Sequence, residues 1–190
     1  MNITECALVF GDSGAGSLAA AIAAQLSRAG LAVHPTAQVD ASDRAQLDTL
    51  FAEIHAAGRR LRLVVHAPSA PTTALGALDS TLAEAQQQWR RICYAGSQIG
   101  QVAIPPMLAT QQGTLLFLAP AASANAAVAA AAAGLRSFAQ SMAREFGPKN
   151  LHVAYLAVDE AADSAAVAHS CWQLHQQQRT TWTQELDLRA

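Results

Sequence analysis

The sequence predicts an α/β fold, a doubly wound parallel sheet with helices on both faces. Short apolar runs typical of buried strands alternate with segments whose apolar residues recur at helical spacing. A glycine-rich turn at Gly11, Gly14 and Gly16 joins the first such strand to the first such helix. The chain has 190 residues, of which 52% are hydrophobic and 14% charged. This size and composition predict one domain over 1–190 with a substantial core.

The first strand and helix have the clearest pattern. Residues 7–10 form an apolar run, and Leu18, Ile22 and Leu26 recur on one face of a helix predicted over 17–26. Gly30 is expected to end this helix, because a helix commonly closes on a glycine with positive φ.

The next part of the chain is short. Residues 31–34 predict a second strand, and the segment 33–40 leaves no room for a helix between the second and third strands of such a sheet. Ser42 is expected to cap a helix over 46–57, and residues 61–65 predict another buried strand.

The remaining residues repeat the alternation of helices and strands. Gly147 and Pro148 are expected to stop a long alanine-rich helix. The predicted elements are a helix over 81–108, a strand over 114–118, a helix over 122–146, a strand over 151–158, a helix over 164–177 and a last strand over 181–188.

Composition excludes several classes of function. A net charge of −2 gives no electrostatic attraction for nucleic acid or anionic lipid. The longest apolar run, 126–133, is far shorter than the roughly 18 residues that span a bilayer. Met1 leads directly into a strand-like run without a secretory signal pattern, and three widely spaced cysteines indicate reduced thiols. We expect a cytoplasmic protein that binds neither nucleic acid nor membrane.

The glycine turn predicts an anion site. The first N–H groups of a helix have no partner inside the helix, and missing Cβ atoms let a phosphate approach them. Gly11, Gly14 and Gly16 lie between strand and helix, where a Rossmann-type sheet binds a dinucleotide. The alternative is a tight turn that binds nothing.

A second chemistry is also open at this turn. Residues 10–13, Phe-Gly-Asp-Ser, resemble the nucleophile block of GDSL-type hydrolases, in which Ser13 would attack an ester. Those hydrolases carry Asp-x-x-His late in the chain. Here Asp163 and His169 are six residues apart, so this remains a remote alternative.

Three stretches carry a family resemblance. Residues 135–153 resemble the end of the long interface helix and the following strand of the short-chain dehydrogenase/reductase family. Residues 182–189 resemble the closing strand of one subgroup, while Trp89-Arg90 and Gly100-Gln101 resemble the preceding helix. The resemblance covers almost the whole chain.

This resemblance implies hydride transfer between NAD(P) and an alcohol or carbonyl, with a Tyr, a Lys, a Ser and an Asn as catalytic groups. The corresponding positions hold Val128, Ala132, Pro120 and Ile92, none of which has a side chain that can donate, accept or ionise. We therefore predict a pseudoenzyme without catalytic residues. The alternative is an NAD(P)-dependent oxidoreductase that uses non-standard residues.

The resemblance also implies cofactor-binding positions: Gly11, Ser13, Gly14, Gly16, Asp40 and Ala67. The first two glycines are separated by two residues where the family usually has three. The family's Asn-Asn-Ala-Gly appears as residues 65–68, Val-His-Ala-Pro. We expect binding of NAD or NADP to be weak or absent. His169, Cys171 and His175 are not expected to hold a metal.

Partners are implied in the same way. The family dimerises by packing two long helices against their copies, which here are the helices over 81–108 and 122–146. The alanine-rich side chains of the second would allow close approach. We expect a homo-oligomer, or a mixed oligomer with a catalytically complete relative.

Overall fold

The fold is built on one parallel sheet. The computed structural model describes residues 4–69, 76, 78–121, 123, 125–159 and 161–188. Within these residues the strands are β1 Glu5–Gly11, β2 Ala32–His34, β3 Arg60–Ala67, β4 Gly113–Pro120, β5 Leu151–Val158 and β6 Glu185–Leu188. All pairs are parallel, and the order across the sheet is β2-β1-β3-β4-β5-β6.

Helices connect the strands, as parallel pairing requires. They are α1 Leu18–Arg28, α2 Arg44–Ala56, α3 Leu82–Trp89, α4 Ala95–Thr110, α5 Ala126–Phe146 and α6 Ser164–Gln176. The predicted helix over 81–108 is present as α3 and α4, joined through a π-helical turn at Arg90–Tyr94. We call this segment the wide turn.

The core lies in two layers, one on each face of the sheet. Successive strand residues point to opposite faces, so Leu63 and Val65 belong to the layer under α1 and α6, while Val64 belongs to the other. Ile22 and Leu26 fill the first layer. The second layer takes its helical side chains from α2, α4 and α5, including Leu50, Ile99 and Leu135.

Two helix starts differ from the prediction. Asp43, not Ser42, caps α2, because its carboxylate accepts hydrogen bonds from the N–H groups of Ala45 and Gln46. The alanine-rich helix begins at Ala126, not at 122, because Asn125 caps it through the N–H groups of Ala127 and Val128. Residue 122 lies outside the described residues.

The last strand is shorter than the predicted 181–188. Gln177 holds Trp182 and Thr183 by three hydrogen bonds. Its Oε1 accepts from Thr183 N at 2.8 Å, its Nε2 donates to the Thr183 hydroxyl at 2.9 Å, and its main-chain oxygen accepts from Trp182 Nε1 at 3.1 Å. Ladder pairing with β5 therefore starts only at Glu185.

The sheet is reduced as the sequence predicts, because the segment 33–40 contains no helix; in the observed element order α2 is the helix that joins β2 to β3. β2 ends at His34 and α2 begins at Arg44, and the residues between them form no helix or strand. None of the helices within the described residues has the length and apolarity to cross a bilayer.

Candidate cofactor site

Two clefts open at the carboxyl ends of the central strands, where open α/β sheets bind ligands. The first cleft, about 340 Å³, lies between the ends of β1 and β3, the segment 36–42 and the wide turn. The second cleft, about 220 Å³, lies between the ends of β3, β4 and β5 and the start of α6. Asp12 lines both clefts.

Gly11 is required at the end of β1 by close packing. A Cβ on this residue would lie 2.8 Å from the Cβ of Ala19 and would collide with the main-chain oxygen of Ala67. The absent side chain therefore lets β1 and α1 approach the end of β3. Gly16 has a φ of +83°, which favours glycine for conformational reasons.

The amino terminus of α1 has the expected features of an anion site. Ser17 caps the helix by accepting from Ala20 N at 3.2 Å, and its hydroxyl donates to the main-chain oxygen of Asp12. The N–H groups of Leu18 and Ala19 lie in the first turn, where a helix offers no acceptor. The helix dipole adds positive potential at the same point.

Asp12 opposes this potential. Its Oδ1 accepts from Gly14 N at 2.9 Å, so the carboxylate belongs to the glycine turn and does not cap α1. A phosphate bound at the turn would meet this negative charge and would compete for the Gly14 N–H.

The structure brings the six predicted cofactor positions to one edge of the sheet. Gly11 and Asp40 line the first cleft, and Ala67 lines the second. The other three lie in the exposed turn between β1 and α1, namely Ser13, Gly14 and Gly16. Their role in binding a nucleotide stays a prediction.

Asp40 is held as an anion. It accepts hydrogen bonds from the Ser42 hydroxyl at 2.7 Å and from Ser42 N at 2.8 Å, and these bonds lower the pKa of the carboxyl below its ordinary value. Arg90 lies 3.9 Å away and donates from Nε to the Ser42 hydroxyl at 2.8 Å.

His66 closes the inner wall of the first cleft. It is 3% exposed, and its Nε2 lies 2.9 Å from the main-chain oxygen of Ile92 in the wide turn. A carbonyl only accepts, so Nε2 carries the proton and Nδ1 is a bare acceptor. Burial lowers the pKa of His66 to about 4, and the imidazole is therefore neutral near pH 7.

Arg91 also lines the first cleft and was not singled out from the sequence. Its Nη2 donates to the Oε1 of Gln88 at 3.2 Å, while its Nε is buried without an acceptor. Burial lowers the pKa of this guanidinium. The sequence shows two adjacent arginines, Arg90 and Arg91, but it does not show that both side chains reach the cleft. The wide turn places them there.

The four positions compared with the family's catalytic groups have different surroundings. Val128 and Ile92 are fully buried in the core, and Ala132 is 5% exposed. Pro120 lines the second cleft.

Other phenols and amines lie elsewhere. Tyr155 is buried in the core layer under α5, and Tyr94 is not among the residues that line either cleft. Lys149, the one lysine of the sequence, precedes β5 at the opposite edge of the sheet.

The remaining candidates do not assemble into sites within the described residues. No hydrogen bond there joins Ser13 to a histidine, so the hydrolase alternative gains no support. On α6, His169 is exposed, Cys171 is buried, and His175 Nδ1 lies 2.9 Å from the Thr114 hydroxyl. No group of three side chains suited to a metal is found in this part of the chain.

Comparisons with known proteins agree with this architecture. Residues 5–159 match the family model described as Enoyl-(Acyl carrier protein) reductase. No curated protein sequence is similar enough to count as a match.

Solved structures are similar over nearly the full chain. A short-chain dehydrogenase from Rhodopseudomonas palustris is 30% identical, with a TM-score of 0.79 and 98% of each chain covered. A metagenomic short-chain oxidoreductase in complex with NADP is 17% identical, with a TM-score of 0.83 and 99% of each chain covered. An oxidoreductase from Brucella ovis in complex with a partially ordered NAD is 18% identical, with a TM-score of 0.79, over 99% of this chain and 100% of that one.

The three aligned structures are therefore of comparable length to this chain. The family match covers most of the sequence, and the sheet order, the glycine turn and the clefts at the carboxyl edge are those of a doubly wound α/β domain. This chain belongs to the short-chain dehydrogenase/reductase family.

Proposed function

We propose that this chain is a non-catalytic family member that binds a nicotinamide dinucleotide weakly and acts through self-association. The observation that carries this proposal is the burial of Val128 and Ala132 among apolar side chains at the positions that correspond to the proton donor and its ammonium neighbour. Aliphatic groups there can neither donate a proton nor lower a pKa.

The reaction of the family explains why the loss of a proton donor would abolish catalysis. A bound nicotinamide donates or accepts a hydride, and a carbonyl that receives the hydride needs a proton from the protein. Loss of one acid or base typically costs 10²–10⁴-fold in rate. His66 is no substitute, because its proton is held by the oxygen of Ile92 and its pKa is about 4.

The clefts offer no other proton donor suited to neutral pH. Their titratable side chains within the described residues are His66, two arginines and three carboxyl groups, Asp12, Asp40 and Asp159. An arginine does not lose its proton in a protein, and each of the three carboxyl groups accepts a hydrogen bond from a main-chain N–H group. This set supports binding more than proton transfer.

Nucleotide binding is supported by the glycine turn and the free N–H groups at the start of α1. The relatives solved with NADP and with a partially ordered NAD share the fold and add support by similarity. The Asp12 carboxylate in the turn weakens the attraction for a pyrophosphate, which is consistent with low affinity.

Self-association is supported by the outer face of α5. Ala129, Ala130, Ala133 and Ser137 are exposed and small, so a second helix could approach closely. Beside them Trp89 is 48% exposed and packs over Gly134, where a Cβ would lie 2.9 Å from the indole ring. A homodimer through α4 and α5 is the simplest assembly, and a mixed oligomer with a catalytically complete relative is the alternative.

One set of measurements on the full chain tests the proposal. NADPH and NADH fluorescence titrations measure binding, a panel of aldehydes and ketones measures turnover, and light scattering measures the mass. We expect binding weaker than about 10 μM, no turnover, and a mass near twice 19.8 kDa. Turnover of any carbonyl would instead support an oxidoreductase with non-standard residues.

A matched variant checks the remaining hydrolase alternative. Ser13→Ala removes the only hydroxyl of the proposed nucleophile block, and we expect neither the wild type nor this variant to hydrolyse p-nitrophenyl acetate. Ester hydrolysis by the wild type that is lost in Ser13→Ala would contradict the proposed function.

A further inference from the structure

We propose that the imidazoles of His152 and His175 form a pH-sensitive latch, which holds the segment 177–184 against the sheet at neutral pH and releases it in acid. The latch lies at the amino ends of β4 and β5, the edge of the sheet opposite the two clefts. It goes beyond the proposed function, because neither imidazole lines a cleft. The juxtaposition that carries it is a buried imidazole bonded to the segment, with a second imidazole and an arginine beside it.

His152 makes two contacts with the segment. Its side chain is buried, and its Nε2 lies 2.9 Å from the main-chain oxygen of Thr183. Its ring stacks on the indole of Trp182, with the two centroids 4.9 Å apart and the two planes inclined by 4°. A carbonyl only accepts, so Nε2 carries the proton of the neutral ring and Nδ1 is a bare acceptor.

A second proton on His152 would be buried with little compensation. Its Nδ1 is shielded from solvent and has no hydrogen-bond partner within the described residues. The main-chain oxygen of Leu174 favours the charged ring, but this oxygen already accepts from Gln177 N at 3.2 Å. Burial outweighs it and lowers the pKa of His152. Protonation therefore favours a conformation in which water reaches Nδ1.

His175 strengthens this effect from α6. Its ring is half-buried, and its Nδ1 lies 2.9 Å from the Thr114 hydroxyl. Burial lowers the pKa of His175 to about 4, and repulsion from Arg62 and from His152 lowers it further, while the Glu5 carboxylate opposes this. Two charged imidazoles would therefore repel each other and the guanidinium.

The surrounding charges do not compensate for additional protons. Glu5 of β1 is the carboxylate that acts on His175, and it is already ion-paired with Arg62 of β3. The Arg62 Nε is itself buried without an acceptor in the described part of the chain. Hydration of the imidazoles after release of the segment would relieve this excess of positive charge.

Other contacts of the segment do not titrate between pH 7.5 and 5. Arg179 donates to the main-chain oxygen of Pro148 at 3.1 Å, and Tyr155 N donates to the main-chain oxygen of Gln184 at 3.0 Å. Neither bond depends on a group that changes its charge in this range. The response to acid is therefore assigned to the two imidazoles.

Release should stop before β6. Glu185 accepts hydrogen bonds from Arg136 and Gln140 of α5, at 2.8 and 2.9 Å. These bonds lower the pKa of the Glu185 carboxyl, so the connection to α5 persists at pH 5. The opening is therefore local and differs from acid unfolding of the whole chain.

Hydrogen exchange of the full chain, followed by mass spectrometry at pH 7.5 and pH 5.0, tests the latch. Exchange rates are corrected for the intrinsic effect of pH. An imidazole whose pKa rises from about 4 to about 6.5 on opening shifts the opening equilibrium by about 30-fold between these pH values. We expect protection of residues 177–184 to fall at least about tenfold more than protection of residues 113–120 in β4.

Variants assign the effect to the latch. His152→Gln keeps a donor for the Thr183 oxygen but cannot take up a proton, and His175→Gln likewise removes the charge. Each should reduce the pH effect at least about threefold, and the double variant should abolish it. His55→Gln, exposed on α2, is the control and should retain the full effect. Circular dichroism confirms the fold, and the two single variants keep the test valid if the double variant is unfolded.

Three outcomes would overturn the latch. Protection of 177–184 that is the same at both pH values shows that no acid release occurs. An equal loss of protection in 177–184 and in β4 shows unfolding of the whole chain instead. A full pH effect in both single variants shows that other groups respond to acid.

Discussion

The imidazole of His66 and the main-chain carbonyl of Ile92 are joined by a 2.9 Å hydrogen bond that links the end of β3 to the wide turn. Helices widen or kink where a side chain inserts into the ladder of main-chain hydrogen bonds. Gly96 contributes to this contact, because a Cβ there would lie 2.9 Å from the imidazole Cδ2. The wide turn and the wall of the first cleft thus depend on one buried side chain.

Replacement of His66 tests this dependence. His66→Ala leaves the Ile92 oxygen without its donor and creates a cavity, so we expect a loss of about 2–4 kcal/mol in the free energy of unfolding. Urea unfolding followed by circular dichroism measures it. His55→Ala, on the exposed face of α2, is the control and should cost less than about 0.5 kcal/mol. An equal effect of the two variants would contradict the structural role of His66.

Stability should fall as the pH is lowered from neutrality. Burial lowers the pKa of both His66 and His175 to about 4, and repulsion from Arg62 adds to the effect on His175. In the unfolded chain a histidine has a pKa near 6.5, so only the unfolded state takes up these protons as the pH falls from about 6.5 to 4. The stabilisation is complete above pH 6.5, and each group contributes at most about 3 kcal/mol.

Urea midpoints at pH 7.5 and pH 5.0 measure this effect. The pKa values of Asp40, Glu84 and Glu185 are lowered, so the stability that these carboxyl groups contribute is lost mainly below pH 5, and the difference belongs mainly to histidines. His175→Gln should reduce the difference, whereas His169→Gln, exposed on α6, should leave it unchanged. Identical midpoints at the two pH values would show that these imidazoles are not buried in their neutral form.

Gly11 should be intolerant of a side chain. The Cβ of Gly11→Ala would collide with the main-chain oxygen of Ala67, and backbone atoms cannot yield as a side chain can. We expect a loss of about 2–4 kcal/mol in stability, measured by thermal unfolding, together with loss of nucleotide binding. Gly147→Ala is the matched control, because a Cβ on Gly147 would have no neighbour within 4 Å; a similar loss there would contradict the packing argument.

The charge of Asp12 should limit nucleotide affinity. Asp12→Asn keeps an oxygen that can accept from Gly14 N but removes the negative charge from the turn. We expect NADH and NADPH to bind about three- to tenfold more tightly, with equal gains for the two, because both carry the pyrophosphate. Fluorescence titration measures this gain, and Asp48→Asn on α2, outside both clefts, is the control. Unchanged affinity would mean that no phosphate lies near Asp12.

The outer face of α5 should be sensitive to bulk if it forms the interface. Ala133→Arg places a long charged side chain on the small exposed face, so we expect the light-scattering mass to fall to that of one chain, 19.8 kDa. Ala56→Arg, exposed on α2, should leave the mass unchanged. A monomeric wild type, or a dimer that tolerates Ala133→Arg, would contradict the proposed interface.

Much of the fold could be predicted from local patterns. The runs at 7–10 and 61–65 are buried on both faces, and Leu18, Ile22 and Leu26 mark one face of a helix, so strand and helix were distinguishable without tertiary information. The start of the last strand could not be predicted locally, because it depends on the hydrogen bonds of Gln177 to Trp182 and Thr183.

Some features of the candidate site could likewise be predicted from the sequence and others could not. The glycine turn is visible as a local sequence pattern, and its position after β1 was correctly predicted. The hydrogen bond of His66 and the exposure of Arg91 to the first cleft could not be predicted, because both arise where β3 meets a helical segment more than twenty residues later in the chain. No local periodicity encodes which side chains a widened turn directs inward.

The two outermost strands of the sheet are also its shortest, with three residues in β2 and four in β6. A long free strand edge invites pairing with another chain and the growth of cross-β aggregates, whereas a brief edge provides few unpaired main-chain groups. Although this chain is rich in apolar residues, the two edges of its sheet therefore expose few main-chain groups with which a second chain could pair.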